Sequence, residues 1–274
     1  LAPVNELDGH PRFREALVTD ERLAGYLGAV ESGAGFAGFD PDDGVGTSGG
    51  SEDHTAILMS AEDRAGQYAY SPVRRERSVR LPEGTVFVVA SSGVRARKTG
   101  AARADYNRLS LEATAAAAAW RSASGDDAPD LGTIFARGVE LGRLLEALDA
   151  SSDGEVSTDR LRARTEHFYR ENELLVPQAG DALERGDLEM LGLAADRSQH
   201  LAERLLGNQV PETVALAEGA RSLGAAAASS FGAGFGGAVW ALVEEPDAEE
   251  FAERADDALA MITGAGGPAR AVGA

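Results

Sequence analysis

Apolar positions at helical spacing open the chain. Leu23, Tyr26, Leu27 and Val30 fall on one face of residues 21–31, which therefore read as an amphipathic helix. A Gly/Asp/Phe loop follows over 32–43. The short apolar run 54–59 reads as a buried strand, 61–65 as a polar turn, and 67–70 as the returning arm of a hairpin. Residues 74–80 alternate between polar and apolar, and Pro82-Glu83-Gly84 marks a turn. The strongest strand signature is 85–90, a continuous β-branched and aromatic run expected to be buried on both faces.

Beyond Ser91-Ser92-Gly93 the period changes from two to nearly four. Residues 101–122 form a long helix carrying Tyr106, Leu109, Leu111, Ala113 and Trp120. A polar loop over 122–129 precedes a helix over 131–148, with Ile134, Val139, Leu141 and Leu145 as its apolar positions. Residues 158–185 read as one long helical region, which Pro177 kinks or divides. A further helix over 188–206 ends at Gly207-Asn208, and Pro211 opens the next, to about 223. Residues 224–243 read as strand, glycine loop, strand. A helix over 248–261 and an edge strand over 269–272 close the chain. No repeat of 20 to 50 residues is present. The fold class is α+β, with two expected domains, 1–92 and 93–274, divided where strand-rich sequence gives way to helices.

Composition narrows the function classes. The chain has 274 residues, 43% hydrophobic and 26% charged, which is a globular balance. With 45 acidic against 26 basic residues the net charge is −19, and this argues against nucleic acid or an anionic membrane as a partner of the whole chain. Lys98 is the one lysine among the basic residues, a bias that fits a GC-rich genome. Without cysteine, disulfides, thiolate metal sites and cysteine nucleophiles are excluded. Asn5, Glu6 and Asp8 stand where a signal peptide would be apolar. The longest small-apolar run, at 115–120, is too short to span a bilayer. A cytoplasmic, monomeric protein is expected.

Candidate chemistry concentrates in three places. Residues 44–58 run from a glycine-rich loop into the acidic pair Glu52-Asp53. Glycine permits a ligand to approach the backbone closely, and an aspartate pinned beside such a loop can act as a general base; an ordinary turn has the same composition. The second glycine loop, Gly232-Ala-Gly-Phe-Gly-Gly237, can offer backbone N–H groups to an anion or can be a tight hairpin. It lacks the Gly-Lys-Ser/Thr ending of a P-loop, and no helix follows it as in a dinucleotide fingerprint. Arg95, Arg97, Lys98, Arg103 and Arg108 make a basic cluster that reads either as a phosphate-attracting patch or as a solvated helix face. His10, His54, His167 and His200 form no metal-ligand spacing. The nucleophile elbow of a serine hydrolase is absent.

Taken together, these pieces resemble the galactokinases of the GHMP kinase superfamily over nearly the whole chain. Gly49-Gly50-Ser51-Glu52-Asp53-His54 is similar to their Gly-x-x-Asp-Gln stretch, with His54 in place of Gln. Tyr106-Asn107 sits where that family has its sugar-contacting tyrosine. Ser198 with Pro211-Glu212, and then residues 232–237, are similar to the later motifs, the last being Gly-x-Gly-Phe-Gly-Gly. The resemblance implies a two-domain GHMP kinase fold, with part of the N-terminal domain followed by a ferredoxin-like C-terminal domain with extra helices. It also implies ATP-dependent phosphorylation of a monosaccharide, galactose first, at the anomeric hydroxyl. Asp53 becomes the base, Gly50 a backbone contact to the sugar, and Tyr106 a hydrogen-bonding partner of a sugar hydroxyl. Gly232, Gly234, Phe235, Gly236 and Gly237 become a structural motif near the nucleotide, and Glu31 the nearest candidate for the Mg²⁺ ligand, although the loop between it and Asp53 is longer than in the family. ATP and Mg²⁺ are the implied cofactors. The family's opening Gly-Arg-x-Asn-x-Ile-Gly-Glu-His segment and its Pro-x-Gly-x-Gly-Leu-Ser-Ser-Ser loop do not occur in this chain. The chain is therefore expected to be part of a kinase and inactive alone. A kinase for another sugar, a non-catalytic sensor of sugar and nucleotide, and an inactive pseudogene fragment are the alternatives.

Overall fold

A computed structural model of the protein describes residues 11–41, 44, 47–96, 102–150, 155–263 and 270–272, with backbone alone at 12–14, 102–103, 256–263 and 270–272. His10, Arg97 and Lys98 lie outside the described residues, as does the side chain of Arg103. The chain divides into two compact units, Leu1–Val79 and Arg80–Ala274.

The first unit contains helices α1 (Pro11–Ala16), α2 (Asp20–Ser32) and α3 (Glu52–Met59) and a two-stranded sheet of β1 (Arg64–Tyr70) and β2 (Val73–Arg80). Thr19 caps α2 by accepting the Arg22 N–H, and Asp20 and Glu21 sit in its first turn, where a helix favours negative charge. Gly33, at φ 76°, ends the helix and returns its N–H to the Ala29 carbonyl.

Here the structure corrects the sequence reading. Residues 54–59 belong to helix α3, and β1 pairs with β2, not with that segment. A short apolar run has no period that separates strand from helix. The deciding pattern is Ser51, Thr55 and Met59, buried at spacings of four, while Ile57 is 79% exposed. The acidic pair Glu52-Asp53 then falls in a helical first turn.

The second unit is built on a four-stranded sheet in the order β4-β5-β3-β6, formed by β3 (Thr85–Ser91), β4 (Ala227–Ser230), β5 (Ala238–Glu244) and β6 (Arg270–Val272). Every pairing is antiparallel. β3 pairs with β5 along its whole length, from Thr85 opposite Glu244 to Ser91 opposite Ala238. This draws β3 into the second unit. Val86 and Val88 pack against Ala220, Phe251 and Ala255 on one face. Phe87 lies on the other, edge-to-face with Trp240 at 5.7 Å, beside Ala182 and Leu191. Both faces are covered, as the apolar run predicts, but Phe87 and Val89 remain half-buried.

Helices α4 (Ala102–Ser124), α5 (Leu131–Ala136), α6 (Leu141–Asp149) and α7 (Thr158–Tyr169) share a second core centred on Trp120, Ile134, Leu144 and Leu148. The helix expected over 131–148 is two helices, because Gly138 takes a left-handed φ of 79° between them. The region 158–185 is interrupted by a π-helical segment, Arg170–Leu175, before α8 (Val176–Arg185). Pro177 in the first turn of α8 has no N–H for the preceding helix, and the wider turn before it accommodates that loss. α9 (Leu188–Leu201) ends in another π segment, Ala202–Leu206, and in left-handed Gly207. α10 (Pro211–Ser222) and α11 (Ala248–Thr263) complete the unit.

Candidate active site

In the first unit, residues 47–50 lead through Ser51 into α3. The buried Thr47 hydroxyl donates to Glu31 Oε1 at 3.0 Å, and His54 Nε2 lies 3.2 Å from Glu31 Oε2. Glu31 at the end of α2 thus holds the loop on one carboxylate oxygen and the first turn of α3 on the other. Gly49 lies so close to this carboxylate that a Cβ would collide with it. A Cβ on Gly28 of α2 would meet the backbone of Ser51 at 3.0 Å. Ser51 turns its hydroxyl to the Tyr70 carbonyl, 3.2 Å away, and does not cap α3.

Asp53 is the second residue of α3 and is exposed. Gly50 is also exposed, and a Cβ there would meet nothing within 4 Å. Its value to the fold is small, and the space over its α-carbon is open. The structure brings Glu31, Gly50 and Asp53 into one unit and places Tyr106 and residues 232–237 in the other.

The Glu31 carboxylate is already shared between two protein partners. Mg²⁺ takes near-octahedral oxygen ligands, whereas the Glu31 carboxylate is engaged by a hydroxyl and by an imidazole nitrogen. Among the described residues no group of three or more histidine or acidic side chains could hold a metal. No chemical step is assigned to a metal at this position.

In the second unit Tyr106 is half-buried in α4. Arg108, two residues on, is half-exposed and committed to partners within the unit. Its Nη1 donates to Glu112 Oε1 at 2.8 Å and its Nη2 to the Leu206 carbonyl at 3.2 Å. Arg160 of α7 forks onto both oxygens of Glu112, at 3.0 and 2.9 Å, and also reaches Leu206 O. Burial pushes the Glu112 carboxyl upward, but the hydrogen bonds from Arg160 and then Arg108 outweigh it and hold the group below its ordinary value. Of the remaining basic cluster, Arg95 is exposed.

The second glycine loop joins β4 to β5. Gly232, Gly234, Phe235, Gly236 and Gly237 all have positive φ. For Phe235, at 61°, that backbone is costly without outside support. Support comes from three directions. The Phe235 N–H donates to Asn208 O, and Asn208 Nδ2 donates to Ala233 O at 3.0 Å. Gly237 gives its N–H to Val94 O, while Ser92 donates both N–H and hydroxyl to Gly237 O. A Cβ on Gly234 would collide with the Asn208 carbonyl. Ser92, Asn208, Gln199 and Gln209 were not legible as loop partners, because no spacing rule links residues so far apart.

Residues 181–261 match the family model described as "GHMP kinases C terminal". This segment runs from α8 through most of α11, glycine loop included. The second unit carries a GHMP kinase C-terminal region. The chain is also similar to the crystal structure of Lactococcus lactis galactokinase complexed with galactose, at a TM-score of 0.65 and 24% identity, over 84% of this chain and 55% of that one. At that identity the likeness establishes a galactokinase-like fold. A mevalonate kinase of Aeropyrum pernix is 37% identical over 91 residues, 33% of this chain and 28% of that protein. The chain thus spans about half the length of the galactokinase and less of the mevalonate kinase. Among the described residues no helix is long and apolar enough to cross a membrane.

Proposed function

We propose that this GHMP kinase chain belongs to an ATP-dependent kinase that phosphorylates a monosaccharide, galactose first, at its anomeric hydroxyl. The observation that carries the proposal is the position of Asp53, exposed in the first turn of α3, three residues past the open backbone of Gly50. In the proposed step the Asp53 carboxylate accepts the proton of the anomeric hydroxyl as its oxygen bonds to the γ-phosphorus. The bond from that phosphorus to the bridging oxygen breaks, and ADP leaves. Such a transfer needs positioning and charge neutralisation more than covalent chemistry from the protein. The staple of Thr47, His54 and Glu31 fixes the loop and the first turn of α3, and so fixes the base. Tyr106 is assigned a hydrogen bond to a sugar hydroxyl, and residues 232–237 a backbone wall near the nucleotide. ATP enters as its Mg²⁺ complex, whose metal lowers the charge of the transferred phosphoryl group.

The test is a sugar panel with ATP on the full-length protein, alongside calorimetric titration of galactose. Asp53→Asn should abolish turnover and spare sugar binding. Binding of both ligands by the wild-type protein without turnover would establish the sensor reading instead. The mevalonate kinase match favours a second reading, a different small-molecule acceptor. Turnover of mevalonate or of a sugar other than galactose in the same panel would select it.

A further inference from the structure

The glycine loop is clamped by a polar chain that runs in one direction. At its head, Gln199 Oε1 accepts from the Ser230 N–H at 3.0 Å and from the hydroxyls of Ser229 and Ser230 at 3.1 and 3.0 Å. Gln199 Nε2 donates to Gln209 Oε1 at 3.1 Å, and Gln209 Nε2 donates to Asn208 Oδ1 at 3.2 Å. Asn208 Nδ2 then donates to the Ala233 carbonyl at 3.0 Å. The circuit leaves the chain at the end of β4 and returns to it three residues later, inside the loop.

Both ends of the circuit are backbone groups with one possible role. The Ser230 N–H can only donate and Ala233 O can only accept, so all three amides must point the same way. A side branch is compatible with that direction: the Thr213 hydroxyl accepts the Val210 N–H, and its one proton is within reach of Gln209 Oε1 at 2.9 Å and of Val210 O at 3.0 Å. Gln199 and Asn208 are buried, as is Thr213. A reversed amide at any point would therefore bring two like groups together where water cannot separate them.

We infer that Gln199, Gln209 and Asn208 are positioning residues that hold the glycine loop in its positive-φ course, and that ATP affinity depends on the direction of this amide chain. The inference rests on the reading of residues 232–237 as nucleotide-proximal. None of the three amides is assigned a contact to substrate.

The experiment uses the same full-length protein as the sugar panel. Gln199→Glu keeps the acceptor for β4, replaces the donor toward Gln209 by a second acceptor oxygen and adds a carboxylate charge. Asn208→Asp keeps the acceptor for Gln209 and sets an oxygen against Ala233 O. Thr213→Ser preserves the side branch and serves as the conservative control. Amide hydrogen exchange is followed by mass spectrometry over 231–237 and over 131–148 as a reference segment, and ATP and galactose affinities by calorimetry. Both amide variants should speed exchange in 231–237 on the order of tenfold and weaken ATP binding by a similar factor. The reference segment, galactose affinity and Thr213→Ser should stay at wild-type values. Unchanged exchange in 231–237 overturns the inference. So does a rise shared equally by 131–148, which would make the amides general supports of the fold. Faster loop exchange with unchanged ATP affinity supports the clamp and overturns the nucleotide-proximal reading of the loop.

Discussion

Replacing Glu112 with alanine removes the anchor of two arginines and tests how the second unit is held together. Glu112 is 2% exposed at its side chain, while Arg108 and Arg160 are each 34% exposed. The carboxylate receives three charge-assisted bonds of 2.8 to 3.0 Å. Removing one partner of a buried ion pair costs roughly 3–5 kcal/mol, because the remaining charge is left uncompensated. Here the guanidiniums keep some contact with water, so the low end applies, about 3 kcal/mol. For a unit of this size that corresponds to a melting temperature lower by roughly 6–12 °C. Urea and thermal unfolding of the chain, followed by circular dichroism, read it directly. The pH dependence has a definite sign. Glu112 is held below its ordinary value in the folded state. Its stabilising effect is complete above the ordinary carboxylate range and is lost as pH falls through the folded value. Wild type and variant should therefore converge in acid. A loss under about 1 kcal/mol at pH 7 would put this cluster with exposed surface pairs and refute the reasoning. So would the absence of coupling to Arg160→Ala in a double-mutant cycle.

Three further outcomes follow from the structure. Gly50→Ala should leave the unfolding midpoint unchanged, since a Cβ there meets nothing within 4 Å, but should weaken galactose binding; equal affinity would remove Gly50 from the sugar site. Gly234→Ala, at φ 82° and against Asn208, should cost about 2 kcal/mol or more in urea unfolding; a neutral result would show that the loop has freedom the hydrogen bonds deny. His167 is pushed down to about 4 by burial, with Arg164 adding to the effect. The unfolded chain therefore binds a proton that the folded one refuses, and stability should fall as pH drops from about 6.5 to 4. Glu171, raised by burial, acts with the opposite sign as pH rises through the carboxylate range. Stability against pH for His167→Leu should be flatter than wild type in the upper part of that window, and an unchanged slope would contradict the assignment.

Some of this protein could be read without its structure. The apolar run of β3, the glycine loop between two strands and the order of helices in the second unit are local patterns, written by side-chain period and by glycine and proline. The α+β class followed from them, and the GHMP kinase likeness from the motifs at 49–54, 106–107, 198, 211–212 and 232–237. Helix α3 was not legible, because its apolar run is too short to show a period. What made it a helix is the burial of Thr55 and Met59 on one side, which depends on what packs there. Site residues divide the same way. Asp53, Gly50, Tyr106 and residues 232–237 stood out by type and spacing, but their proposed roles rest on the likeness. The pairings made across the chain did not stand out. Glu31 joins Thr47 and His54 across a loop, Glu112 joins two arginines on two helices, and three amides carry one polarity from Ser230 to Ala233. Sequence determined which residues have chemistry to offer, because that is a property of single side chains and short patterns. Tertiary structure decided which of them meet, because a hydrogen bond needs two groups within about 3 Å, and chain separation alone does not say which distant residues come that close.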